Sequence, residues 1–198
     1  MITTEQIKSL REKTGVSVMQ CKKALEEAKG DEEKALLFLR KKSGEIAAKK
    51  SDREFGAGKI ASYIHAGGTV GVLVELVSET DFVANNEEFG TLAREIALHI
   101  AAMNPEAVDR DGISEEKKEK ILEVINEESA DQVKGKPEDV QKKIIDGKMD
   151  AYYKEKVLLE QPFVKNPDIT IREFIESSVQ KFGERIAVAR FTRYNVLG

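Results

Sequence analysis

The stretch KIASYIHAGGTVGVLVELV, residues 59–77, decides the fold class. β-branched residues dominate it, and Gly67-Gly68 supplies a turn. Val70, Val72, Val74 and Leu76 alternate with Gly71, Leu73, Glu75 and Val77. That period of two predicts a β-hairpin with one strongly buried face. The loop SETDFVANN follows it. Asn85 or Asn86 then caps a helix with Phe89, Leu92, Ala93, Ile96, Ala97 and Ile100 on one side, and Pro105 lies just past its end.

Upstream, residues 1–44 read as three short helices. Thr3 with Gln6 and Ser17 with Gln20 have capping-box spacing, Gly15 and Gly30 act as stops, and Asp31 caps the third helix. A bundle this small suits a docking module. Residues 45–58 are polar and basic, end in glycines, and read as a short exposed helix and a linker. Residues 59–198 form the core.

Downstream, residues 114–160 are charged, amphipathic and helical. Pro137 fits a first-turn position ahead of Val140, Ile144, Ile145, Met149 and Tyr152. Pro162 and Pro167 break the chain, and Thr170 with Glu173 opens another helix. RIAVARFTRYNV alternates as a strand, with Ile186, Val188, Arg190 and Thr192 set against Ala187, Ala189, Phe191 and Arg193. Three strands are thus legible. The predicted class is α+β: a three-helix module, then a small antiparallel sheet flanked by helices on one face. Such a sheet leaves an edge and a face to protect, which a second copy of the chain would cover. The expected assembly is a homodimer, which charged substitution at Val188 or Phe191, on whichever face is free, would split.

Composition narrows the function. The 198 residues carry 32 Lys/Arg and 36 Asp/Glu, so the basic excess of a general nucleic-acid binder is missing. Charge is uneven: residues 1–54 hold 13 basic and 10 acidic side chains, and residues 105–160 hold 11 and 16. Cys21 is the one cysteine and lies on an apolar helical stripe, so it reads as core. No apolar run approaches the roughly 20 residues that cross a bilayer. The N-terminus lacks the pattern of a secretory or transit peptide, and a cytoplasmic location is expected.

No catalytic constellation emerges. Gly56-Ala57-Gly58-Lys59 departs from a phosphate loop, because Arg53 and Ile60 occupy key positions and a strand follows. His65 and His99, the two histidines, have no close metal or triad partners in sequence and read as surface or partly buried residues. No metal, no cofactor and no enzymatic activity are expected. Thr80-Asp81-Phe82-Val83 is different. Thr and Asp suit a turn, but Phe and Val are costly to expose. Phe82 either folds back onto the core or projects as an aromatic wedge for a partner's pocket, and spacing does not separate the two.

At this point the sequence resembles the bacterial elongation factor Ts family. The matching stretches are LREKTGVSVMQCKKALEEAKGD (10–31), EIAAKKSDREFGAGKIASYIH (45–65), VELVSETDFVANNEEF (75–89) and EQPFVKNPDITI (160–171). The resemblance implies a ubiquitin-associated-like module at residues 1–44. It further implies a short family member that dimerises by bringing two sheets together. Its implied activity is nucleotide exchange on the GTPase elongation factor Tu, with no cofactor and no direct nucleic-acid or membrane contact. Asp81 and Phe82 would wedge between helices beside the nucleotide, disturbing the phosphate loop and Mg²⁺, with Thr80 and Val83 shaping the wedge. Lys8, Lys22 and Lys50 would dock the GTPase, and Phe163 and Val164 would touch its second domain. Lys165 and Asn85 depart from residues common in the family and weaken contacts there. Two other readings compete: a ubiquitin-associated-like adaptor with the T-D-F-V segment in its core, and an enzyme using Lys59 or His65.

Overall fold

A computed structural model describes residues 2–196. The chain opens with α1 (Thr4–Thr14), α2 (Val18–Glu27) and α3 (Glu32–Ala48). Both predicted capping boxes form, Thr3 with Gln6 and Ser17 with Gln20, and Gly15 ends α1 at φ 69°. Leu10, Val16, Cys21, Ala24, Leu25, Ala35 and Leu39 make the bundle's own small core.

The third helix does not stop near residue 44. It runs on to Ala48 and absorbs the short helix expected after it. The reason is tertiary. Ile46 and Ala47 pack against the main core, and the Ser43 hydroxyl donates to Gln180. Burying one more turn against α8 (Ile171–Phe182) outweighs the polar composition of this stretch.

β1 (Ala57–Ile64) and β2 (Val70–Ser78) form the predicted hairpin. β5 (Ile186–Asn195) pairs antiparallel with β2, giving the sheet order β1-β2-β5. Val72, Val74 and Leu76 of β2 face inward onto α5 (Glu87–Met103) and α8. Phe89, Ile96, Ile100 and Ile171 are fully buried there. This is an α+β fold, with the core between one sheet face and the helices.

The faces of β5 differ from simple alternation. Glu75 pairs with Arg190 and Leu76 with Val188, so Ala189 has no opposite residue and forms a β-bulge. One extra residue reverses the pleat. Ile186 and Val188 face the core, and beyond the bulge Phe191 does too, while Arg193 donates to the Ala101 carbonyl. Val188 and Phe191 are therefore both core-facing, and neither lies on the free face. Ile60, Ile64, Leu73 and Tyr194 are the exposed apolar residues of the outer face.

After α5, α6 (Glu115–Val133) and α7 (Glu138–Lys156) make an antiparallel helical hairpin, with Pro137 at the N-cap of α7. Then comes a small hairpin that pattern alone does not reveal, β3 (Pro162–Phe163) with β4 (Asn166–Thr170). Its two prolines hide it, since proline is normally confined to strand ends and edges. Thr170 and Glu173 form their capping box at the start of α8.

Candidate functional site

The chain leaves the sheet at Ser78 and enters α4 (Asp81–Ala84), a single helical turn where sequence predicts a loop. Successive residues point about 100° apart around that turn, so the segment divides by burial. Val83 and Ala84 face the core. Asp81 is exposed, and Phe82 stands 83% exposed. Phe82 therefore projects from the surface and does not take the core placement assumed by the adaptor reading. Asn86, not Asn85, caps α5, accepting from the Glu88 N–H at 2.8 Å.

The approach to α4 is strapped down. The Ser78 hydroxyl donates to the Thr80 carbonyl at 3.0 Å. The Glu184 carboxylate accepts from the Thr80 N–H at 3.0 Å and from its hydroxyl at 2.5 Å. The Glu79 carboxylate accepts from the Arg185 N–H at 2.5 Å and from the Arg53 guanidinium at 3.0 Å. Burial alone would raise the Glu79 pKa, but the Arg185 N–H and Arg53 outweigh it and hold this carboxyl below its usual range.

The predicted lysines divide as well. Lys8 and Lys22 lie on exposed faces of α1 and α2, each 3.9 Å from a glutamate one turn on, Glu12 and Glu26. Such pairs bind weakly and leave the ammonium groups accessible. Lys50 is committed within the chain: it donates to the Gly183 carbonyl at 2.6 Å, beyond the C-terminus of α8.

The Q-P-F-V segment is also split. Phe163 is buried, stacked on Phe174 with centroids 4.5 Å apart. Val164 is partly exposed, and its N–H donates to His99 Nδ1 at 3.2 Å. That bond places the ring proton on Nε2, which donates to Gln161 Oε1 at 2.9 Å. His99 is thus fully buried, where a surface or partly buried ring was expected. Burial lowers its pKa against the smaller opposing effect of Gln161, so the ring is neutral. Lys165 pairs with Glu95 at 2.7 Å.

Among the described residues, no cluster of His, Cys, Asp and Glu is arranged to hold a metal. No helix among the described residues is long and apolar enough to cross a membrane. The cleft between the N-terminal bundle and the β3–β4 hairpin, about 670 Å³, is lined by residues such as Lys13, Leu36, Arg40 and Phe174 and includes no histidine or cysteine. Sequence reasoning missed Glu184, Arg53, Arg185 and the His99–Gln161 pair. The partners in these contacts lie 26 to 132 residues apart, where no local pattern connects them.

An exposed Phe on a turn backed by buried Val83 and Ala84 is the geometry of a protein-binding surface. Comparison with known proteins gives the family. The family model described as "Elongation factor TS" matches residues 6–197. Elongation factor Ts of Carboxydothermus hydrogenoformans is 46% identical over 196 residues, covering 99% of this chain and 89% of the relative. That of Oleidesulfovibrio alaskensis is 48% identical over 195 residues, covering 98% of each. That of Alkaliphilus oremlandii is 47% identical over 195 residues, covering 98% and 89%. With a match that takes in the bundle, the T-D-F-V turn and the sheet alike, this chain belongs to the elongation factor Ts family.

Proposed function

We propose that this protein binds elongation factor Tu in the cytoplasm and promotes GDP release, by seating Asp81 and Phe82 in the GTPase beside its nucleotide and displacing Mg²⁺. One observation carries the reading: Phe82 is 83% exposed while the next residue, Val83, is buried. Leaving a Phe in water forgoes about 1.5–3 kcal/mol of burial, which insertion into a partner recovers. Val83 anchors the turn from beneath, and Thr80 fixes its start.

Exchange of this kind needs no catalytic group. A factor that binds the nucleotide-free GTPase more tightly than the loaded one weakens nucleotide by the same ratio. A thousandfold coupling is about 4 kcal/mol, within reach of one buried aromatic and a few desolvated polar contacts. Lys8 and Lys22 supply a basic docking face. Lys50 supports that face from its place beside α8, and of Phe163 and Val164 only Val164 presents surface to a second GTPase domain. The apolar outer face of the sheet joins two copies into a homodimer.

The test is release of fluorescent GDP from elongation factor Tu, with wild type and with Phe82→Ala. Wild type should accelerate release and F82A should lose most of that effect. Equal acceleration by both rejects the wedge.

A further inference from the structure

We propose that Glu184 is the positioning residue for the wedge: by holding Thr80, it sets the direction in which α4 presents Asp81 and Phe82. The proposal rests on the exchange reading above.

A four-residue helix does not hold its own shape, because one turn cannot repay the cost of nucleation. The direction of Phe82 must therefore come from its attachments. Behind the turn, Val83 and Ala84 fix a pivot in the core. In front of it, Thr80 occupies the N-cap position. A Thr there ordinarily accepts from an N–H of the helix it opens. Here it makes no such side-chain bond, and its hydroxyl donates to Glu184 instead. The backbone N–H of Thr80 goes to the other oxygen of the same carboxylate. A capping contribution to α4 has been exchanged for a strap to a distant element, which serves orientation and not helix formation.

The platform under Glu184 is rigid. Gly183 ends α8 at φ 75°, and its carbonyl is held by Lys50. On the other side, the Arg185 guanidinium donates to the Arg53 carbonyl and lies 4.2 Å from the centre of the Phe55 ring. Arg185 also gives its N–H to Glu79, so residues 79–80 and 184–185 are tied by reciprocal bonds. Without Glu184, the turn can swing about Val83, and only a fraction of molecules holds Phe82 in the productive direction. Docking of the loaded GTPase precedes seating of Phe82, so release at saturation falls by that fraction while half-saturation stays.

The experiment titrates fluorescent-GDP-loaded elongation factor Tu with wild type, Glu184→Ala, Glu184→Gln and Phe82→Ala, and adds Thr80→Val alone and combined with E184A. E184A should lower the saturating release rate about fivefold, with half-saturating concentration and melting temperature near wild type. E184Q keeps an acceptor for the Thr80 N–H and should recover most of the rate. T80V with E184A should add little to E184A alone, since both cut the same strap. If E184A exchanges at the wild-type rate while F82A is defective, Glu184 does not position the wedge. A loss in E184A that glutamine fails to recover, and that adds fully to T80V, also overturns the proposal, because Glu184 then acts through its charge. Normal exchange by F82A brings down the wedge reading, and the positioning role with it.

Discussion

His99 Nε2 lies 2.9 Å from Gln161 Oε1, with both side chains fully buried. Gln161 passes the linkage on, donating to the carbonyls of Met103 at 3.3 Å and Glu155 at 2.6 Å. One neutral imidazole thereby joins the end of α5, the end of α7 and the β3–β4 hairpin. A protonated ring would lose the bond from Val164, since Nδ1 would become a donor.

This gives a pH dependence with a definite sign. The folded-state pKa of His99 lies below its unfolded value, about 6.5. Stability from the neutral ring is complete above that value and falls as pH drops below it, until the folded pKa is reached. Urea midpoints measured between about pH 7 and 5 should decline. His99→Gln should be less stable by about 1–3 kcal/mol at pH 7 and should lose this part of the slope. An unchanged slope in H99Q would assign the decline to other groups.

Phe82 and Val83 should separate stability from function. Val83→Ala should cost about 2 kcal/mol by leaving a cavity under α4. Phe82→Ala should stay within about 0.5 kcal/mol of wild type, because the ring packs on little. Denaturant titration of the two variants checks both values.

The sheet's outer face should hold the homodimer. Leu73→Lys together with Tyr194→Glu places charge on that face and should yield a folded 22.1 kDa species in sedimentation equilibrium. Val188→Lys should instead unfold the chain, because Val188 faces the core. Wild type that sediments as a monomer at tens of micromolar would remove the dimer.

Lys8 and Lys22 should behave unlike Lys50. Replacing the first two together with alanine should slow association with elongation factor Tu and flatten its salt dependence. Lys50→Ala should lower the melting temperature by removing the bond to Gly183, with the salt dependence of association kept. Stopped-flow association at low and high salt distinguishes the two outcomes.

Much of the fold was legible because its signals are local. Thr3 with Gln6, Ser17 with Gln20 and Thr170 with Glu173 each act across three residues, and each forms its capping box. The alternation from Val70 to Leu76 needs only the pleat, and Gly67-Gly68 takes the positive φ of the turn. The β3–β4 hairpin escaped because its strands are short and each contains a proline.

The helices, the β1–β2 hairpin, the α+β class and the T-D-F-V segment as the place to look follow from local pattern, since propensity, capping and periodicity all act within a few residues. Tertiary structure alone decided which way that segment points. Phe82 is outside because Val83 and Ala84 claim the core, and Glu184 reaches Thr80 across 104 residues. The unpaired Ala189 turns Phe191 inward, and Lys50 finds Gly183 across 133 residues. Contacts of this span depend on how the elements pack, and burial and hydrogen bonding choose among side chains that local pattern treats alike.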